Sequence, residues 1–486
     1  MSTSGREWMI MTEKQVGGVI VLFGGTGDLA KSELIPALYQ LFQEGNFSEQ
    51  FALIGVSRTE MSDQDYRDFV REAMEDVVDK DAIDDSFFQH FFYQTADNTE
   101  LNDFKNLSET IQKASNECEA DPSYTYYYSI PPSVYDDTTK NLKESGILDY
   151  EGSHRVAVEK PFGESLESAE EYYDLLQKAF DPQEIYLVDH FLGFESLQNI
   201  LVTRQANPFL EAIWNSDYIE QVQISLPEDF SIGSRGAFYD ENGALLDMFQ
   251  NHILQILAVV AMDLPEEMDD KKLNEKKLEL FRTIPSFKLE DVKERVVRGQ
   301  YDTYRKEDDV PEESHTETYI AIELEIDSDR WAGVPFYVRT GKSLAENHLT
   351  VDILLKTSSN MSVDEQPRLT FSIEPQLGMS MVVHQKHPTE SEEVLAAVIG
   401  PDKETWKTIH FLEAYENIIS DILTDSKRHI GTFEQVKEQW RITDSIRQAW
   451  EDMPKPDFPN YKTGKIGPEK AEDLLKRNNH SWIYRE

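Results

Sequence analysis

The sequence predicts two domains of different class: an α/β domain with a parallel, doubly wound sheet, then an α+β domain with a large, mostly antiparallel sheet. Three observations predict this. Up to about residue 190, short apolar runs alternate with helical patterns. Beyond Thr318, β-like runs follow one another with no regular helices between them. The first apolar run also meets a glycine cluster that opens a helix. A length of 486 residues, 39% of them hydrophobic, suits two to three domains with well-buried cores.

In the first part, Val19 to Phe23 (VIVLF) reads as a strand, Gly24-Gly25-Thr26-Gly27 as a tight turn, and Leu29 to Phe42 as an amphipathic helix. Further β-like runs are Phe51 to Val56, Tyr124 to Ile130, Arg155 to Val158 and Ile185 to Val188. The last two end at Glu159-Lys160-Pro161 and Asp189-His190, and strand ends are where ligands gather in such sheets. In the second part, Ile219 to Leu226 is β-like and Ala244 to Met262 reads as one long apolar helix. The remaining β-like runs are Thr318 to Ile326, Val334 to Arg339, Thr350 to Lys356, Leu369 to Ile373 and Met379 to His384. Two acidic stretches, Pro265 to Glu279 and Asp302 to Glu317, read as solvated helix or loop. The expected domains are 1–190 and 191–486.

The spacing Gly24-x-x-Gly27-x-x-Ala30 between a strand and a helix is that of a dinucleotide-binding, Rossmann-like turn. Glycines let the backbone turn sharply and approach a pyrophosphate, and the helix start offers free N–H groups. The next strand ends in Ser57-Arg58, where a site for the unphosphorylated cofactor carries Asp or Glu. A guanidinium there pairs with a ribose 2′-phosphate, so NADP is the expected cofactor.

The 92 acidic residues against 47 basic ones give a formal charge of -45. Such a surface repels nucleic acid and anionic membrane, and neither is an expected partner. Any phosphate-bearing ligand would need cations concentrated at its site. Cys118 is the single cysteine, so no intrachain disulfide can form, in keeping with a reducing, cytoplasmic compartment. The N-terminal MSTSGREWMIMTEK lacks the pattern of an export signal, and no apolar run reaches the ~18 residues of a membrane helix. No His/Cys cluster has metal-ligand spacing, so no metal is expected.

The blocks FGGTGDLAKSELIPALYQLF, VAVEKPFG, VDHFLGFESLQNI, GALLDMFQNHILQI and PFYVRTGKSLAE, with the C-terminal YKTGKIGPE, together resemble glucose-6-phosphate dehydrogenases, notably those of lactic acid bacteria. The resemblance covers nearly the whole chain. It implies oxidation of the C1 hydroxyl of glucose 6-phosphate with NADP, opening the pentose phosphate pathway, in a homodimer or homotetramer. Hydride departure from C1 needs a base for the hydroxyl proton, a neutral imidazole oriented by a carboxylate. The resemblance makes His252 that base and Asp189 its orienting carboxylate. Substrate-binding residues are then Lys160, His190, Glu228, Asp247 and Lys342. Cofactor-binding residues are Gly24, Gly25, Thr26, Gly27, Asp28, Leu29, Ser57, Arg58, Ser129, Lys160 and Pro161.

The chain departs from the family around the phosphate. Phe191 stands for a tyrosine, Phe194 for a lysine, Glu33 for a lysine and Asn347 for a lysine or arginine. A charge-assisted hydrogen bond contributes ~1.5–3 kcal/mol, so two lost without replacement correspond to about 2–4 orders of magnitude in affinity. His348 or Lys31 could take over. Three readings therefore stand: the family reaction, the same chemistry on a different and possibly non-phosphorylated sugar, or a non-catalytic NADP-binding paralogue.

Overall fold

The structure, a computed structural model, describes residues 16–75, 83–357, 365–374, 377–386, 394–399 and 413–485. The N-terminal segment on which the export-signal expectation rests lies outside them. The chain divides into two compact units. The first is Met1–Gly163, Glu167–Gly193 and Leu412–Phe433; the second is Glu164–Leu166, Phe194–Phe411 and Glu434–Glu486.

The first unit carries a six-stranded sheet of β1 (Val16–Phe23), β2 (Phe47–Ser57), β3 (Phe91–Thr95), β4 (Ser123–Tyr128), β5 (Ser153–Glu159) and β6 (Ile185–Val188). Its order is β3-β2-β1-β4-β5-β6 and every pair is parallel. The order reverses between β1 and β4, which opens a crevice at their C-terminal ends. β3 escapes a sequence reading because the turn before it, Phe87–His90, is as aromatic as the strand itself.

One helix of this unit comes from far along the chain. Ala414–Thr424 buries Ile418, Ile419 and Ile422 in the cluster that holds Ile20, Leu22, Leu34 and Leu38. Each such side chain taken from water contributes about 1.5–3 kcal/mol. This helix lies in sequence beyond the expected cut at residue 190, yet its apolar face packs with the first core.

The second unit carries an eight-stranded sheet of β7 (Ile219–Pro227), β8 (Val296–Gly299), β9 (Tyr319–Leu324), β10 (Phe336–Gly341), β11 (Leu349–Leu355), β12 (Arg368–Glu374), β13 (Gly378–Lys386) and β14 (Val394–Ile399). The order is β14-β13-β12-β11-β7-β10-β9-β8. Neighbours are antiparallel except β7 and β10, which are parallel. The sheet is thus mostly antiparallel, and its parallel pair follows from the long helical excursion between the two strands, since such connections return a strand in the same direction.

The long apolar helix is present, and its winding changes along its length. It winds as a π-helix over Leu245–Ile253, nine residues that are all buried, before becoming α-helical at Leu254–Ala261. The apolar window within Gly233–Ala261 is entirely buried, as a core helix is. The first acidic stretch leads into a helix with one buried face, and the second buries individual side chains. Asp270–Thr283 is a helix that buries Leu273, Leu280 and Phe281, while Tyr304 and Glu317 of the second stretch are also buried.

Candidate active site

In the first unit the glycine turn is fixed by sterics. Gly24 has φ 79°, and a Cβ there would lie 2.0 Å from the Ser129 carbonyl oxygen across the β1/β4 crevice. A Cβ on Gly25 would lie 2.8 Å from the Cα of Gly55. Both amides donate to the Val56 carbonyl, at 2.9 and 3.1 Å, and the Gly27 amide donates to Gly24 at 2.9 Å. Thr26 Oγ1 donates to Ser57 Oγ at 3.0 Å, tying the turn to the end of β2. Asp28 and Leu29 follow, leading into the π-helical turn Ala30–Leu34 and the helix Ile35–Gln43. Arg58 is exposed just past β2. A bare backbone cradle at a helix start, with a guanidinium at the next strand end, fits a dinucleotide carrying a 2′-phosphate.

Lys160 and Asp189 follow the adjacent strands β5 and β6, and the Lys160 amide donates to the Val188 carbonyl at 3.3 Å. The Lys160–Pro161 peptide is cis. Asp189 is buried, and its Oδ1 accepts from the Phe191 amide at 3.1 Å. His190 stacks on Tyr415 with ring centres 6.0 Å apart and planes at 15°. The turn carrying these groups is pinned to the helix Ala414–Thr424. Asn417 Nδ2 donates to the Gly193 carbonyl at 2.9 Å, and a Cβ on Gly193 would lie 2.2 Å from the Ala414 carbonyl oxygen.

Next to Lys160 in the chain is a buried carboxyl that sequence reasoning missed. Glu159 accepts from the Tyr127 hydroxyl at 2.5 Å. Burial pushes its pKa up to about 7 against the opposing pull of the Tyr127 and Tyr415 hydroxyls and of Lys160. Glu33, at the position of a family lysine, is raised by desolvation and by the nearby Glu413. Phe191 is only 8% exposed.

In the second unit the π-wound segment carries Asp247 and His252, both buried. The Asn251 side chain holds the wide turn open. Its Nδ2 donates to the Leu246 carbonyl at 3.0 Å and its Oδ1 accepts from the His252 amide at 2.6 Å. The segment is rooted by Glu317, whose Oε1 accepts from the Leu245 amide at 3.0 Å. Gly243, with φ 64°, makes room for that carboxyl, since a Cβ there would lie 2.4 Å from Glu317 Oε1. Burial raises the Glu317 pKa to about 7, opposed by this amide and by Arg298.

Asp247 accepts from Arg235 Nη2 at 3.1 Å, and that guanidinium lies 5.2 Å over the Phe238 ring. Glu228 pairs with Lys342 Nζ at 2.6 Å, and Lys342 lies 4.8 Å over Phe230. Burial raises the Glu228 pKa, Lys342 lowers it, and the Asp247 carboxylate raises it further. The Tyr239 hydroxyl is buried with no hydrogen-bond partner among the described residues, within the electrostatic reach of Asp247 and Glu228. Asn347 is exposed, and burial lowers the pKa of His348.

The first unit thus gathers the cofactor turn, Lys160, Asp189 and His190. The second gathers Glu228, Asp247, Lys342 and His252. Sequence reasoning missed Arg235, Asn251, Glu159 and Glu317. Asn251 stands one helical turn from Asp247, so local spacing held a signal for it, whereas Arg235 lies 12 residues before Asp247 and meets it only through the fold. Glu159 adjoins Lys160 but its burial does not show in the run, and Glu317 is tied to its partner only by the fold.

Two family models match the chain: the NAD binding domain of glucose-6-phosphate dehydrogenase over residues 21–199 and the C-terminal domain of that enzyme over residues 201–483. The chain is 33% identical to the glucose-6-phosphate 1-dehydrogenase of Leuconostoc mesenteroides over 483 residues, covering 97% of this chain and 99% of that one. It is 33% identical to that of Bacillus subtilis (strain 168), again with 97% and 99% covered. Its fold is similar to a solved glucose-6-phosphate dehydrogenase in complex with its substrate glucose-6-phosphate, with a TM-score of 0.88, 29% identity, and 97% and 100% covered. By the match of both domain models, in order and along nearly its whole length, the chain belongs to the glucose-6-phosphate dehydrogenase family.

Proposed function

We propose that this chain is an NADP-dependent glucose-6-phosphate 1-dehydrogenase. It oxidises the C1 hydroxyl of glucose 6-phosphate to 6-phosphogluconolactone, the first step of the pentose phosphate pathway. The observation that carries this reading is the whole-chain likeness to the substrate-bound relative, in a sequence that keeps Lys160, Asp189, Asp247 and His252. NADP, when bound, supplies the hydride acceptor. The Gly24–Leu29 turn, Ser57, Ser129 and Pro161 hold it, and Arg58 takes the 2′-phosphate. An imidazole nitrogen of His252 accepts the C1 hydroxyl proton as hydride leaves, leaving the C1 carbonyl of the lactone. The Asp189 carboxylate orients the imidazole and stabilises its charged form. Lys160, His190, Glu228, Asp247 and Lys342 hold the sugar phosphate. The enzyme works in the cytoplasm as a homodimer or homotetramer, without nucleic acid or membrane as partner.

A second reading, the same oxidation of a non-phosphorylated sugar, is favoured by the apolar pair Phe191 and Phe194 and by a carboxyl at Glu33 where relatives carry cations. Steady-state NADP reduction with glucose 6-phosphate and free glucose, run side by side, separates the two. Saturable turnover with the phosphate ester supports the first reading. Turnover with glucose alone replaces it with the second, and turnover with neither sugar rejects both.

A further inference from the structure

The second unit has a groove of about 900 Å³ lined by Lys293, Arg298, Lys455, Lys462, Lys465 and Lys470. Against these six cations it presents two carboxylates, Asp457 and Glu469. This is a concentration of positive charge in a chain of net charge -45. None of the six forms an ion pair with a described carboxylate. The five lysines are exposed, and Arg298 is half-buried with its guanidinium 4.7 Å over the Trp450 ring. Desolvation lowers the Arg298 pKa, and the charge that offsets this is Glu317, a carboxyl itself raised to about 7. A partly desolvated guanidinium whose counter-charge is a carboxyl itself drawn toward protonation is costly to keep charged. An incoming anion would relieve that cost.

We propose that this groove binds a compact polyphosphate anion, a di- or triphosphate either free or carried by a small molecule. Its volume lies within the ~300–1,000 Å³ of small-ligand sites. Lysine ammonium groups serve phosphate as mobile point charges, while an arginine fork can bind two oxygens at once. A long polyanion is disfavoured, because beyond the groove it would run over a strongly acidic surface. A compact one is screened from distant carboxylates within a Debye length of about 8 Å at physiological salt. None of the groove residues belongs to the cofactor turn or to the substrate set.

The test is calorimetric titration of the full-length protein with tripolyphosphate, orthophosphate, sulfate and adenosine triphosphate at matched ionic strength. The same titrations are run on the double variant Lys462→Glu/Lys465→Glu, both exposed side chains. Tripolyphosphate is expected to bind saturably and at least tenfold more tightly than sulfate, with a loss of tenfold or more in the double variant. Adenosine triphosphate binding more tightly than tripolyphosphate would assign part of the affinity to its nucleoside. Equal binding would assign all of it to the phosphates. Both results support the site provided the double variant weakens them. Tripolyphosphate no tighter than sulfate, or binding unchanged in the double variant, overturns the proposal, the latter by moving the anion elsewhere. Circular dichroism of the double variant guards against misfolding. Should it be unfolded, the single variant Lys455→Glu replaces it, with a threefold or greater loss expected and no loss overturning the site.

Discussion

The two units place the side chains of the candidate site in different ways. In the first, Lys160 and Asp189 sit where parallel strands end, and the cofactor turn sits where strand order reverses. Backbone topology does most of that positioning. In the second, Asp247 and His252 ride on a helix wound too wide, held by Asn251 from within and by Glu317 from a distant segment. Positioning there depends on individual side chains. A strand-end site is therefore vulnerable chiefly to loss of backbone space, and a π-wound site to loss of one carboxamide or one carboxyl.

The largest expected effect removes what the wide helix carries. His252→Asn should lower kcat by about 10²–10⁴-fold, the usual contribution of a general base, with NADP affinity unchanged. Stopped-flow turnover and fluorescence titration of NADP measure the two, and an undiminished kcat would remove His252 from its role. Next, Gly24→Ala tests the backbone rule, since its Cβ would meet the Ser129 carbonyl oxygen at 2.0 Å. Strain of about 1–3 kcal/mol should appear as weaker NADP binding and a lower Tm. Tolerance of alanine would mean that the crevice is not sterically fixed. Phe194→Lys restores a cation where relatives have one. It should lower KM for glucose 6-phosphate by one to two orders of magnitude, as one regained charge-assisted bond of ~1.5–3 kcal/mol implies. A KM that does not move would show that other groups already hold the phosphate.

The smallest effect is a slope. Glu317 has a raised native pKa, so the native protein holds this proton more tightly than the unfolded chain does. The resulting stability is complete below the unfolded value near 4.5 and is lost as pH rises through about 7. Glu317→Gln mimics the protonated group and keeps an acceptor for the Leu245 amide. It should leave Tm at pH 5 nearly unchanged and raise stability at pH 8.5 relative to wild type, by on the order of 1–3 kcal/mol. Thermal melts at the two pH values decide it. A parallel pair of curves for the variant and wild type would place the titration elsewhere.

How much of this was legible in the sequence follows the same division. The glycine turn, the strand ends at Lys160 and Asp189, and the alternation of β and α units could be read because period and punctuation are local. The π winding could not. Residues 244–262 are mostly apolar with polar residues between, and nothing in such a pattern distinguishes i→i+4 from i→i+5 bonding. The signal resides in Asn251 and in Glu317, more than sixty residues away. β8 and β14 were missed for want of length or alternation, and the β7–β10 parallel pair because its connection is long. The helix Ala414–Thr424 is a recognisable amphipathic helix by itself, but its membership of the first core is set by three-dimensional matching of apolar faces.

That returning helix has a consequence for how the chain comes to be folded. During synthesis, the β1–β6 sheet emerges more than two hundred residues before the segment that covers Ile20, Leu34 and Leu38. At roughly 5–20 residues per second, that apolar face stays open on the order of ten seconds or longer. A chain released early, at the end of β6, would keep it open indefinitely. Nascent chains of this protein should therefore recruit holding chaperones in the interval between the two segments, and fragments ending near residue 193 should aggregate although their sheet is complete.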